Sequence, residues 1–146
     1  MNIETYKMLI EEAKKQNINR YVVGAIIEKD SSVLLLKRSK DDFMGGIYEF
    51  PSGKVEGKED LEAALFREVK EETDLKVKDI IRYLGHFDYK SKSGKKTRQF
   101  NFLVTINEPA KVRLSEHEDF AWVKKDQLQN YAVTNSVKNI LYSLWG

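Results

Sequence analysis

The sequence predicts an α/β fold, an α/β/α sandwich built around a mixed β-sheet. Segments with helical periodicity stand before, within and after a set of short segments rich in β-branched residues, which is the order typical of helices packed on a sheet. The chain has 146 residues, the size of one domain, and contains no internal repeat or linker. We expect a helical extension over residues 1–20 and one main domain over 21–146.

The first third of the chain predicts a helix followed by a β-hairpin. Apolar residues recur at helical spacing over 3–16. Residues 21–28 and 33–38 are apolar and β-branched, and four polar residues separate them, so they predict two paired strands. A glycine-containing loop over 41–46 and a short strand over 47–50, which ends at a proline, follow.

The clearest helix is predicted over residues 59–73. Leu61, Leu65 and Val69 recur every four residues on one side, and acidic residues occupy much of the remainder. The other predicted elements are strands over 79–89, 98–106 and 120–123, a turn over 91–96 and a closing helix over Asn135–Trp145.

The composition excludes several classes of protein. No cysteine is present, which excludes a disulfide-stabilised scaffold, a thiolate zinc site and a cysteine nucleophile. The longest apolar runs, over 21–27 and 33–36, fall far short of the roughly 20 residues that a membrane helix needs. No basic stretch leads into an apolar one at the start, so we expect no signal peptide, no membrane partner and a cytoplasmic protein.

Charge is unevenly distributed along the chain although the total is nearly balanced. The formal net charge of +2 is too small to indicate a protein that binds duplex DNA. Acidic residues crowd between Glu49 and Glu72. A basic cluster follows them, consisting of Lys90, Lys92, Lys95, Lys96 and Arg98.

The acidic helix carries the most informative spacing. Glu68, Glu71 and Glu72 stand at i, i+3 and i+4, which places three mutually repelling carboxylates on one helix face. A solvated acidic face is the plain alternative. A predicted Ser-Gly turn at residues 52–53 before the helix, and Arg67 beside the carboxylates, favour a site for a hard cation, Mg²⁺ or Mn²⁺, that takes its remaining ligands from phosphates.

This segment resembles the Nudix box, a glycine followed at fixed spacing by a glutamate and then by an Arg-Glu and a Glu-Glu pair. The matching residues are Gly53, Glu59, Arg67, Glu68, Val69, Glu71, Glu72 and Leu75. One position departs, since Asp74 replaces a glycine that usually ends the helix in a left-handed conformation, which Asp tolerates better than most residues. The resemblance implies a Nudix-type sandwich over 21–146.

Residues 49–56 are similar to the segment that leads into the box in the MutT-like (8-oxo-dGTP diphosphatase-like) branch. That resemblance implies hydrolysis of a nucleoside diphosphate linked to another group, here a nucleoside triphosphate, oxidised or not, cleaved to monophosphate and pyrophosphate. Ser52 replaces a glycine whose backbone carbonyl binds metal in the family. Nucleotide sugars, dinucleoside polyphosphates and capped RNA are alternative substrates, and a non-catalytic nucleotide or RNA sensor is the alternative of another class.

The family's roles transfer to named positions here. The resemblance implies that Glu71 and Glu72 are the principal metal ligands, that Glu68 is a ligand or the general base, and that Arg67 orients Glu68. The loop residue Glu116 is a further candidate, for metal binding or for the general base. Second choices for these roles are Glu56, Glu59 (which could instead brace the helix start) and Glu118.

Three residues are candidates for substrate binding. Phe50 would stack on the base or belong to the core, Asn135 would hydrogen-bond the base or cap the last helix, and Arg38 would contact phosphates. We expect Trp122 and Trp145 in the core. His86 and His117 have no spaced partners and are weak candidates for metal ligands.

The basic cluster has two interpretations. It is either a solvated turn that keeps an exposed hairpin soluble or a surface that attracts polyphosphate or the 5′ end of an RNA. The sequence is compatible with a monomer or a homodimer.

Overall fold

The computed structural model describes residues 3–42 and 44–146, in which a mixed sheet lies between helices, as predicted. Met1, Asn2 and Phe43, the last within the predicted loop at 41–46, lie outside the described residues. The helices are α1 (Ile3–Lys15), α2 (Leu61–Thr73) and α3 (Asn135–Trp145), and the strands are β1 (Arg20–Lys29), β2 (Ser32–Lys37), β3 (Tyr48–Glu49), β4 (Ser52–Lys54), β5 (Val77–Lys90), β6 (Lys96–Ile106) and β7 (Asp119–Val123).

Strand β1 is the centre of the sheet. The strands are ordered β3-β2-β1-β6-β5, with β4 paired to β1 and β7 paired to β2. The pairing of β1 with β6 is parallel, from Arg20 opposite Thr97 to Ile27 opposite Val104, and the other pairs are antiparallel. The sheet is therefore mixed, as the sequence predicts.

Alternation along β1 divides its side chains between two cores. Val23, Ala25 and Ile27 face the core that holds α1 and α2, whereas Ile26 belongs to the core that holds α3. Both cores are built from aliphatic and aromatic side chains that are almost fully buried. Helices therefore cover both faces of the sheet, which confirms the predicted sandwich.

Helix α1 packs on the same core as α2. Tyr6 and Ala13 are buried in that core, and Ile18 is buried just beyond the helix end. Asn17 takes a left-handed conformation, and the Ile18 N–H donates to the Ala13 carbonyl at 3.0 Å, a pattern that closes helix C-termini. The extension expected over residues 1–20 thus contributes core side chains of its own.

The buried guanidinium of Arg98 ties α1 to the sheet. Arg98 is 2% exposed and makes a bidentate pair with Asp88, at 2.8 and 2.9 Å. It also donates to the side chain of Gln16 after the end of α1. Of the basic cluster, this residue is therefore a structural cation, while the four lysines are exposed.

The hairpin predicted from 21–28 and 33–38 is wrong along most of its length. The two strands pair only at their ends, Glu28 with Val33 and Lys29 with Ser32, across a turn in which Asp30 is left-handed. Beyond that point β1 pairs with β4 and β6, and β2 pairs with β3 and β7. The two strands diverge because each finds other partners along its remaining edge.

Two further elements differ from the prediction. The Ser-Gly segment predicted as a turn is strand β4, whose Gly53 lies opposite Val23 of β1. Lys125–Asn130 forms a 3₁₀ helix that the sequence did not indicate. Strands β5 and β6 are paired as predicted and are each somewhat longer than expected.

We expect Tyr6→Ala to lower the free energy of unfolding by about 3–5 kcal/mol, because it removes a buried aromatic ring from the α1–α2 core. Tyr6→Phe should leave stability nearly unchanged, since the Tyr6 hydroxyl has no hydrogen-bond partner among the described residues. Met8, 67% exposed on the same helix, supplies the control Met8→Ala, with an effect within about 0.5 kcal/mol. Urea unfolding measures all three, and a neutral Tyr6→Ala would show that α1 does not stabilise the domain.

Candidate active site

Helix α2 is fixed in place by a stripe of apolar side chains that runs beside two of the predicted carboxylates. Leu61, Leu65 and Val69 are about 1% exposed. The Asp60 side chain caps the helix by accepting from the Ala63 N–H at 2.8 Å. Glu68 and Glu72 stand one turn apart beside this buried stripe and contact β4, whereas Glu71 lies on the exposed side of the helix.

Asp74 ends α2 in the way expected of the glycine that it replaces. Its φ is 62° and its ψ is 14°, a left-handed conformation, and its N–H donates to the Lys70 carbonyl at 2.9 Å. The Asp74 carboxylate pairs with Lys70 at 2.6 Å. The departure from the family pattern therefore leaves the helix end intact.

Arg67 holds three glutamates at the start of the site. It donates to both carboxylate oxygens of Glu59, at 2.6 and 2.8 Å, to Glu68 at 2.7 Å and to Glu71 at 3.2 Å. The hydrogen bond from Arg67, with help from the Glu56 N–H, lowers the pKa of Glu59 to about 2. Glu59 is thus placed as a brace between α2 and the preceding turn.

Glu68 packs directly over Gly53 of β4. A Cβ built on Gly53 would lie 2.0 Å from the Glu68 carboxyl carbon, so no other residue type fits there without moving Glu68. Burial raises the pKa of Glu68, and the hydrogen bond from Arg67 partly offsets that effect. The glycine of the motif therefore serves close approach between the strand and a charged helix face.

Glu72 is a second largely buried carboxylate of the site. Its side chain is 17% exposed, and it accepts a hydrogen bond from the Ser52 N–H at 2.8 Å. Burial raises the pKa of Glu72 to about 7, and the charges of Glu49 and Glu68 add to that effect against the opposing Ser52 and His117 interactions. A cation beside Glu72 would therefore relieve a cost of burial that Ser52 and His117 offset only in part.

Ser52 turns both of its backbone polar groups away from β1. The Ala25 N–H donates to the Pro51 carbonyl at 2.9 Å, so the alternation of an antiparallel ladder points the next residue outward. The outward N–H binds Glu72, and the carbonyl is directed to the same side. The carbonyl predicted as a metal ligand therefore points away from β1, to the side where Glu72 lies.

A chain of charged residues continues from Glu72 across the site. His117 Nδ1 lies 3.9 Å from Glu72, and His117 Nε2 lies 2.8 Å from Glu49. Arg38 donates to the other Glu49 oxygen at 3.3 Å and lies 3.6 Å from Asp42. Burial alone would lower the pKa of His117, but the Glu49 hydrogen bond and the charge of Glu72 outweigh it and leave the pKa raised.

The donor types of this site suit a hard divalent cation, although their present arrangement does not chelate one. Within 3–42 and 44–146, no group of three or more His, Asp or Glu side chains is placed to hold a metal ion. Glu71 instead reaches Arg67, but it is 58% exposed and has room to turn. Carboxylate and carbonyl oxygens are the ligands that Mg²⁺ takes in proteins, so the residues fit the ion once Glu71 turns.

A cavity of about 570 Å³ opens beside these residues. It brings together Arg38, Phe50, Ser52, Glu72 and Glu116 of the predicted site, the last of them exposed. The predicted residues that do not line it are Arg67, Glu68, Glu71 and Asn135, together with the second choices Glu56, Glu59 and Glu118.

The two candidates for base binding are placed differently from each other. Phe50 lines the cavity but is 1% exposed and packs in the α3-side core, which leaves little of its ring for a base. Asn135 is exposed, while its neighbour Thr134 caps α3 by accepting from the Val137 N–H at 3.2 Å. Thr134 rather than Asn135 is therefore the cap.

The remaining singled-out residues divide between core and site. Trp122 and Trp145 pack against the two cores, as expected. His86 is exposed and contacts the Tyr83 hydroxyl at 3.1 Å, away from the carboxylates. His117, a weak candidate from the sequence, lies within the carboxylate group, and its position between two acids in the loop before β7 was the signal available.

The basic cluster contributes to the rim of the cavity. Lys90 and Lys92 line it, whereas Lys95 and Lys96 of the same hairpin do not.

In the part of the chain that the structure describes, no helix is both long and apolar enough to cross a membrane.

Comparison with known proteins places the chain among proteins of one family. Residues 18–144 match the family described as the NUDIX domain. An ADP-ribose pyrophosphatase of Methanocaldococcus jannaschii is 41% identical over 78 residues, which cover 47% of this chain and 46% of that protein, so the match spans about half of the relative. An 8-oxo-dGTP diphosphatase of Buchnera aphidicola subsp. Schizaphis graminum is 28% identical over 84% of this chain and 90% of its own.

Two further proteins are similar over most of the chain. An RNA pyrophosphohydrolase of Campylobacter jejuni is 26% identical over 90% of both chains. The crystal structure of the MutT NUDIX hydrolase from Burkholderia pseudomallei superposes with a TM-score of 0.73 at 27% identity, covering 84% of this chain and 95% of that one.

We expect Glu59→Gln to lower the free energy of unfolding at pH 7 by about 1–3 kcal/mol, because Arg67 loses its bidentate partner. The folded-state pKa of Glu59, about 2, is below its ordinary value, so its contribution is present above pH 4.5 and fades as the pH falls toward 2. Urea unfolding at several pH values should therefore show the difference between wild type and variant narrowing on acidification. The exposed Glu11→Gln is the control, and a difference that stays constant with pH would contradict the assignment.

Proposed function

The chain belongs to the NUDIX family, and on that premise we propose that it hydrolyses a phosphoanhydride bond of a nucleoside triphosphate. Water attacks one phosphorus atom, and the nucleoside monophosphate and pyrophosphate separate. Oxidised guanine nucleotides are included among the proposed substrates, because the Buchnera relative is named an 8-oxo-dGTP diphosphatase.

One observation carries this proposal: the desolvated carboxylate of Glu72 lines the same cavity as an apolar wall. The cavity runs from Glu72, Ser52 and His117 at one side to Phe87 and Val137 at the other. A charged end and an apolar end in one opening suit the phosphates and the base of a nucleotide, respectively. The cavity volume of about 570 Å³ is within the range of small-molecule sites.

We assign Glu68, Glu71, Glu72 and the Ser52 carbonyl as ligands for Mg²⁺, with Mn²⁺ as the alternative. When bound there, the cation would neutralise phosphate oxygens and lower the pKa of the attacking water. Arg67 keeps Glu68 oriented through a hydrogen bond of 2.7 Å, whereas Glu71 would turn away from Arg67 to reach the cation. Arg38 lines the cavity and would contact phosphate, held in place by Glu49 at 3.3 Å.

We assign the general base to Glu116 rather than Glu68. Glu116 is exposed and lines the cavity, so it can reach a water molecule beside the substrate. Glu68 is 13% exposed, lies over Gly53 and is already bonded to Arg67. Its role in this proposal is therefore that of a ligand.

We expect Glu72→Gln to reduce Mg²⁺-dependent release of pyrophosphate from nucleoside triphosphates by more than about 100-fold, since loss of even the groups that orient a metal ligand costs 10–100-fold. The variant should fold at least as stably as wild type, because a neutral amide avoids the cost of burying an ionised Glu72. Turnover and urea unfolding, measured together, separate the two effects.

Glu62→Gln is the matched control for that experiment, because Glu62 stands in the first turn of α2 and does not line the cavity. Its turnover should equal that of wild type. Unchanged turnover in Glu72→Gln would refute the assigned site. Activity on dinucleoside polyphosphates, nucleotide sugars or ADP-ribose alone would show that the site hydrolyses one of these substrates and not nucleoside triphosphates. Binding of all these nucleotides without turnover would indicate a nucleotide sensor.

A second candidate substrate is the 5′-triphosphate end of an RNA. Lys90 and Lys92 stand on the cavity rim, where a polynucleotide leaving the site would meet them, and the Campylobacter relative is named an RNA pyrophosphohydrolase. Lysines at such a rim would bind successive phosphates without reading sequence.

We expect Lys92→Ala to weaken binding of a 5′-triphosphorylated RNA several-fold at low salt, and the effect to shrink as salt rises. Hydrolysis of mononucleotides should change little, because they lack the downstream phosphates. Lys95→Ala, in the same hairpin but outside the cavity lining, is the matched control. If the two substitutions weaken RNA binding equally in a filter-binding titration, a defined RNA path past Lys92 is excluded. The basic cluster is then interpreted as a solvated turn.

A further inference from the structure

A pair of buried amides lies on the sheet beneath the cavity. Gln99 and Asn101 of β6 are 7% and 0% exposed, and Gln99 lines the cavity. Gln99 stands opposite Val22 of β1 and Phe87 of β5, so it is the polar residue between two apolar neighbours that also line the cavity. This row lies on the α3-side face of the sheet.

The hydrogen bonds of this pair fix the orientation of both amides. Asn101 Nδ2 lies 3.3 Å from two backbone carbonyls, those of Gly85 and Gln99, which can only accept. The Asn101 Oδ1 atom must therefore be an acceptor, and Gln99 Nε2 donates to it at 2.9 Å. The backbone thus determines which end of each amide is nitrogen.

Gly24 of β1 makes room for this arrangement. A Cβ at position 24 would lie 2.4 Å from Gln99 Nε2 and 2.5 Å from Asn101 Oδ1. The amide-to-amide hydrogen bond therefore passes directly over the glycine. A larger residue would push the Gln99 side chain out of its fixed position.

The fixed orientation leaves one acceptor directed at the cavity. Gln99 Nε2 is committed to Asn101, and no described residue donates to Gln99 Oε1. Because Gln99 lines the cavity, this oxygen is open to a ligand or a water molecule that donates to it. An apolar wall with one such acceptor is the usual form of a site that selects a ligand by its donor.

We infer that Gln99 Oε1 accepts a hydrogen bond from the exocyclic amino group of the substrate's base, with Phe87 beside the ring. Adenine, guanine and cytosine carry such a group. Uracil and hypoxanthine lack an exocyclic amino group. Each carries a carbonyl oxygen where cytosine or adenine carries the amino group, and the Gln99 oxygen would repel that carbonyl oxygen. This inference rests on the proposed nucleotide hydrolysis and adds the class of base that is read.

Three pairs of substrates test the inference, each differing at an amino group: ATP with purine riboside triphosphate, GTP with ITP, and CTP with UTP. In wild type, kcat/KM should favour the amino-bearing member of at least one pair by about 10-fold, the equivalent of one hydrogen bond. Gln99→Met is similar in volume but has no acceptor oxygen. It should lower kcat/KM for the amino-bearing substrate alone and so bring the ratio within the pair close to one. A merely structural role would lower both members equally.

Gln99→Leu also removes the acceptor and should abolish the preference, which keeps the test decisive if Gln99→Met does not fold. Gln127→Met, in the 3₁₀ helix and outside the cavity lining, is the control and should leave every ratio unchanged. A ratio of one for all three pairs in wild type, or ratios that Gln99→Met does not alter, would overturn the inference.

Calorimetric binding of the corresponding monophosphates separates this inference from the proposed function. If wild type binds the amino-bearing monophosphates more tightly but hydrolyses no triphosphate, the proposed hydrolysis fails and the role of Gln99 stands. If wild type hydrolyses triphosphates without preference within any pair, hydrolysis stands and the role of Gln99 fails. Binding of no monophosphate would overturn the role of Gln99 as well.

Discussion

The contact between helix α2 and strand β4 is the constraint on which the site depends. Glu68 lies where the Cβ of any other residue at position 53 would be, and Glu72 accepts from the Ser52 N–H at 2.8 Å. The contact with Glu68 requires that residue 53 has no side chain, and the contact with Glu72 requires that the N–H of residue 52 points away from β1. The two residues are neighbours on the same short strand. A shift of β4 by one residue on β1 would lose both together.

Strand β1 connects that contact to the floor of the cavity. Its Gly24 lies opposite Ser52 on one side and opposite Asn101 on the other. Neighbouring strands are about 4.8 Å apart, so the outward group that holds Glu72 and the amide pair are separated by roughly 10 Å across the sheet. The charged end and the amide end of the cavity therefore keep a constant separation, because hydrogen-bonded strands join them.

The parts that the sequence predicted are those governed by local spacing. The i, i+3, i+4 spacing placed Glu68, Glu71 and Glu72 on one face, and the left-handed Asp74 followed from what that residue type tolerates. The parallel pairing of β1 with β6 and the position of His117 beside Glu72 depend on contacts between segments that are distant in the sequence. The periodicity of the sequence does not encode such contacts. Strand β4 was missed because its Ser-Gly pair reads as a turn, although the glycine serves close approach.

Two glutamates of the same network affect stability in opposite directions. Arg67 lowers the pKa of Glu59, so ionised Glu59 stabilises the fold, whereas burial raises the pKa of Glu72 to about 7, so its ionisation destabilises the fold as the pH rises. Arg67 reaches Glu59, Glu68 and Glu71 but makes no hydrogen bond to Glu72. Ser52 and His117 compensate the Glu72 carboxylate only in part, and it faces the cavity, where a positive charge brought from outside would remove the remaining penalty. Glu59 thus stabilises its end of α2 through a partner within the protein, whereas the Glu72 end would gain stability from a bound cation.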